Sequence, residues 1–175
     1  MEKKGLNYFS IPFKGLKNGS HHFQFEVRSD LFQYFENQDY KEVFIDVGFF
    51  LFKQDNVSTM EFDVAGYIGT NCDRCTASIK LPIEGKFTFL LKLGEEQNST
   101  EEVVFINPET SVYSVAEIIY ECIILSIPII KVYDCESEEK LPCNEAILQK
   151  LEDIDDNKSG SPMWDALKNI DLNDN

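Results

Sequence analysis

Between Val43 and Leu93 apolar and polar positions alternate. Val43, Ile45, Val47, Phe49 and Leu51 share one parity, the period-two signature of a strand with one face on a core. Phe44, Phe50 and Phe52 occupy the other parity and predict burial on that side too. Gln54-Asp55-Asn56 is a hairpin connection, beyond which Met60, Phe62, Val64 and Ile68 alternate with Glu61 and Asp63. Ile79, Leu81, Ile83, Phe87, Phe89, Leu91 and Leu93 then alternate with Lys80, Glu84, Lys86, Thr88 and Lys92. Connections this short favour antiparallel neighbours. His22–Val27 predicts a first strand, and Val103–Ile106 a further one beyond the polar loop Gly94–Glu102. Between them, Ser29 or Asp30 caps a short helix over Leu31–Glu36 that presents Leu31, Phe32 and Phe35.

After Pro108 the period becomes helical. Ser114-Val115-Ala116-Glu117 reads as a capping box. Val115, Ile118, Ile119, Cys122 and Leu125 or Ser126 follow at helical spacing, until Pro128 ends the element. Asn144 caps a short helix to Leu151, Glu152–Ser161 reads as a charged linker, and Pro162–Leu167 forms one or two turns carrying Trp164. The predicted fold is α+β: a mostly antiparallel sheet with one long packed helix. It forms a single domain over residues 1–151, followed by a short helical acidic tail over 152–175.

Charge narrows the partners. Lys and Arg number 16 against 31 Asp and Glu, a net charge of −15 over 175 residues. Broad phosphate contact is built from cations, so this balance disfavours direct RNA binding, leaving only the lysine-bearing N-terminus and the vicinity of Arg74 open to it. A basic membrane-surface patch is disfavoured for the same reason. Hydrophobic content of 43% with 14 Phe excludes a fully disordered acidic chain. Apolar runs at Val47–Phe52 and Ile123–Ile130 are too short to span a bilayer, and no signal-peptide pattern opens the chain, so a cytoplasmic protein is expected.

Five cysteines, an odd number, argue against a disulfide framework. Cys72-Asp73-Arg74-Cys75 falls in a connection between two strong strands, where sulfurs at i and i+3 can face one metal. Cys135 and Cys143 would complete four thiolates for zinc. Alternatives are a redox pair, which lacks a thioredoxin-like context, and plain reduced thiols, some packed as small hydrophobes. Cys122 lies on the apolar helix face and is read as core. Glu117 and Glu121, one helical turn apart, are read as a solvated or partner-facing stripe rather than a cation site, because no His or third acid accompanies them. Arg74 is expected to pair with an internal acid, with partner contact as its alternative. Trp164 could dock on the domain or on a partner. Asp153–Asn157 opens like a calcium loop but fails, with Lys158 for the required Gly and Trp164 for the terminal Glu. His21 and His22 are the only histidines and read as strand-edge polarity. Phosphate loops, nucleophile elbows and metalloprotease helices are missing, so nothing nominates an enzyme.

Taken in order, these pieces resemble the YceD family, the large ribosomal RNA subunit accumulation proteins. The resemblance rests on Cys72-Asp73-Arg74-Cys75, the strand Leu81–Leu93, and Glu117-Ile118-Ile119-Tyr120-Glu121 running to Ser126-Ile127-Pro128. Cys143 before a short helix and Ser161-Pro162-Met163-Trp164-Asp165-Ala166-Leu167-Lys168 look like the ending of Bacteroidetes-type members. Cys135 stands near where relatives often place a His, and Ser161 replaces the usual Asp. The resemblance implies a non-enzymatic role in large-subunit (23S) rRNA accumulation or processing, and it brings no catalytic residues. Charge adds the partner: a basic large-subunit ribosomal protein or pre-ribosomal particle, met by Glu117, Glu121 and the Asp134–Glu139 stretch. A metal- or thiol-dependent RNA-processing enzyme and a structural zinc-binding interaction domain are the alternatives.

Overall fold

The alternating runs form one sheet. A computed structural model describes residues 5–40, 42–94, 103–133 and 142–156. In chain order its elements are β1 (Ser10–Ile11), β2 (Gly19–Arg28), α1 (Ser29–Tyr34), β3 (Glu42–Lys53), β4 (Val57–Asn71), β5 (Ser78–Leu93), β6 (Val103–Ile106), β7 (Tyr113–Ser114), α2 (Ala116–Ser126) and α3 (Glu145–Asp156). Five strands pair in the order β2-β3-β4-β5-β6, and β1 pairs with β7 in a two-stranded ribbon. The architecture is the α+β class expected, with a mostly antiparallel sheet. One pair departs from the short-connection rule. β6 runs parallel to β5, with Leu90 opposite Val103 and Leu93 opposite Ile106.

Among the described residues, the helices cover one face of the sheet. Val43, Ile45, Val47, Phe49 and Leu51 are each no more than 1% exposed, and Met60, Phe62, Val64 and Ile68 continue the same layer. Phe44, Phe50 and Phe52, expected to be buried, are instead 39%, 44% and 48% exposed. The reason is that α1, α2 and the N-terminal segment all pack on the opposite face. The outer aromatics are partly shielded by neighbours on their own surface. His22 stacks on Phe50 at 4.3 Å, Phe44 on Tyr67 at 5.2 Å, and Arg28 lies 5.1 Å over the Phe44 ring.

The inner layer is closed by residues whose role the pattern did not reveal. Phe9, Ile11 and Phe13 are buried although they lie among turn formers. Ribbon pairing of Ser10 with Ser114 holds them there and delivers the chain to the start of α2. That pairing also moves the cap. Val115, not Ser114, is the N-cap residue, and Ser114 Oγ accepts a 3.4 Å bond from the Ala116 N–H instead of closing a capping box. α1 starts at Ser29 with Arg28 as its N-cap and no side-chain cap, and it buries Leu31 and Phe32. Phe35 stacks on Tyr120 of α2 at 4.3 Å. α3 runs on to Asp156, so the expected linker begins as helix.

Candidate functional site

The β4–β5 connection is a tight turn built around the two cysteines. The Cys72 N–H donates to the Ala77 carbonyl at 2.8 Å and the Thr76 N–H to the Cys72 carbonyl at 2.8 Å. Thr76 sits at φ 59°, a left-handed conformation that a β-branched residue seldom adopts. Asp73 binds the segment that follows α2. Its N–H donates to the Lys131 carbonyl at 2.7 Å, and its carboxylate accepts from the Lys131 N–H at 2.7 Å. No sequence motif signals this clamp, because the partners lie far apart in the chain.

Cys72 and Cys75 are buried, at 3% and 1% exposure, and Cys143 is half-buried. Cys75 interacts with both Cys72 and Cys143 where the chain enters α3. Backbone N–H groups of Asn144 and then Ala77 donate to Cys75 and lower its pKa; bonds from Cys72 and Cys143 lower it further, against burial, which raises it. Asn144 precedes α3, and its carbonyl accepts the first helical bonds from Ile147 and Leu148. The N–H turned to Cys75 is therefore one of the orphan donors at a helix start, a setting that favours thiolate. Among the described residues no group of three or more His, Cys, Asp or Glu side chains is set to hold a metal ion. Cys135 lies outside the described residues, as do Trp164 and the Asp134–Glu139 stretch.

Cys122 is different chemistry. It is fully buried on the inner face of α2, and burial, helped by the Glu121 charge, pushes its thiol up to about 12. It is the core residue expected. Arg74 projects from the turn, exposed, and forms no ion pair among the described residues, so the expected internal salt bridge is not seen there.

α2 presents a second feature. Ile118, Ile119, Cys122 and Ile123 pack into the core, while Glu117 and Glu121 remain exposed on one side with no ion-pair partner among the described residues. Gly85 lets the helix settle onto β5, since a Cβ there would run into Ser126 Oγ and the Phe87 ring. Beyond that contact, between α2 and β6, lies an open groove of about 930 Å³ that Glu117 and Glu121 border.

Together these elements define a class: an α+β protein with one five-stranded sheet and a two-stranded ribbon, whose cysteine turn ties β4 and β5 to the chain between α2 and α3. The family model described as "Large ribosomal RNA subunit accumulation protein YceD" matches residues 60–171, from within β4 through the tail. The chain belongs to that family, whose name places its members in the accumulation of large-subunit rRNA. No curated protein and no solved structure matches the chain. No helix among the described residues is long and apolar enough to cross a membrane.

Proposed function

We propose that this chain is a non-enzymatic ribosome-biogenesis factor of the cytoplasm. It supports 23S rRNA accumulation by binding a basic large-subunit ribosomal protein, or an assembly intermediate that carries one. The observation that carries the reading is the pair Glu117 and Glu121, both exposed and unneutralised among the described residues, on the helix whose other side anchors the core. A net charge of −15 steers a cationic protein toward such a surface and repels bare phosphate. Arg74, exposed on the turn, and Trp164 in the tail are the further contact residues of this reading.

Sedimentation of a tagged copy in cell lysate tests it, with the gradient probed for precursors of the large-subunit RNA. Co-migration with immature large-subunit particles at low salt is the expected result. Sedimentation only as free protein would overturn stable binding.

A second reading concerns the cysteines, because Cys75 draws hydrogen bonds from both Cys72 and Cys143. With Cys135 added, these thiols would supply a four-thiolate donor set for a zinc ion, a staple between the turn and the chain that enters α3. Cys72, Cys75 and Cys143 would hold it, with Cys135 as the fourth ligand. Elemental analysis of the reduced protein tests this: about one zinc per chain supports the staple, and none removes it.

A further inference from the structure

We infer that the groove between α2 and β6 is the seat of the partner: it takes a basic, amphipathic segment of another polypeptide. Phe89 and Val104 of the sheet form its floor, and Ile118 and Leu125 of α2 form one wall. Leu125 is 70% exposed, an apolar side chain that the described residues leave largely uncovered. β6 closes one end of the sheet order, so the strand beside this floor offers one row of backbone groups that pair with no described strand.

Charge selects the occupant. Glu117 lies in the first turn of α2, where a carboxylate favours the helix dipole, but Glu121 is a turn further on, beyond that benefit. Like charges at this spacing repel by a few tenths of a kcal/mol, and no cation among the described residues relieves them. An incoming segment with two Lys or Arg side chains about 6 Å apart and an apolar stripe beside them would neutralise both acids and cover Leu125. RNA brings the wrong sign. So does the tail of this chain, which is itself acidic. This inference rests on the reading of a basic protein partner and says where on the surface that partner sits.

The test uses the full-length protein and a synthetic peptide of about 18 residues, Lys and Leu placed at helical spacing. Its scrambled isomer of identical composition serves as the comparison, with binding followed by fluorescence anisotropy at low salt. The paired substitution Glu117→Gln with Glu121→Gln should weaken the patterned peptide about tenfold, as loss of two rim charges implies. Leu125→Ser should weaken it several-fold without changing its salt dependence. Glu61→Gln with Glu84→Gln removes equal charge from the outer sheet face and should leave binding unchanged. All these positions are exposed, so the variants should keep the parent melting temperature. Equal losses from the rim and outer-face pairs, or equal binding of the scrambled isomer, would reduce the effect to bulk charge and overturn the inference. So would displacement of the peptide by single-stranded RNA, or dimerisation of the chain abolished by Leu125→Ser. The two readings separate in the lysate. If the parent co-migrates with immature particles and the rim pair does so undiminished, the groove is wrong and the assembly role stands. Groove-dependent peptide binding by a parent that never joins particles gives the reverse.

Discussion

Gly66 shows how a single position can decide the sheet. It lies opposite Ile45 at φ 157°, and a Cβ there would strike the Phe44 carbonyl oxygen and the Ile45 Cα, both backbone atoms that cannot swing aside. Gly66→Ala should therefore destabilise the protein by about 3 kcal/mol, read as a lower denaturant midpoint. Cys122 makes a second test. Its folded pKa of about 12 lies above the ordinary 9.0, because burial first and the Glu121 charge second disfavour thiolate. A raised acid pKa means that the folded state holds its proton longer. Its contribution is thus intact below 9.0 and is lost progressively as pH climbs toward 12. Stability should fall more steeply across that window in the parent than in Cys122→Ala, measured by chemical denaturation at stepped pH. Phe44, Phe50 and Phe52 mark the limit of reading residues alone. Three phenylalanines on one parity look like a second buried face, yet whether a face is covered depends on what the rest of the chain lays over it.

At the scale of elements, strand alternation and helical period were largely legible, and the joints were not. The existence of β3, β4, β5 and α2 follows from their own residues, whose apolar positions recur at periods of two or near four. The parallel pairing of β6 does not, because direction depends on where a connection leaves the chain. Nor does the missing capping box, since Ser114 has its backbone engaged with Ser10. The Asp73 clamp is another such joint. Asp73→Ala should cost about 1 kcal/mol and speed amide exchange at Lys131, because it removes a charge-assisted bond that holds the segment after α2. Unchanged exchange at Lys131 would mean that the segment is held by something other than this carboxylate.

Over the whole molecule, charge is the dominant number, and it governs association rather than fold. Binding that depends on a −15 surface meeting a basic partner weakens with salt. Co-sedimentation with immature particles should fall several-fold between about 50 and 300 mM salt while the melting temperature of the free protein barely moves. Salt-insensitive co-sedimentation would point to an apolar or zinc-organised contact instead. The family, the α+β class and the acidic character were all legible in the chain by itself, because periodicity, composition and local motif order are properties of neighbouring residues. Tertiary structure alone decided on which sheet face α1 and α2 pack, that Cys143 comes to interact with Cys75, and that Glu117 and Glu121 border an apolar groove. These are meetings between residues distant in sequence, and only the path of the folded backbone brings them within reach of one another.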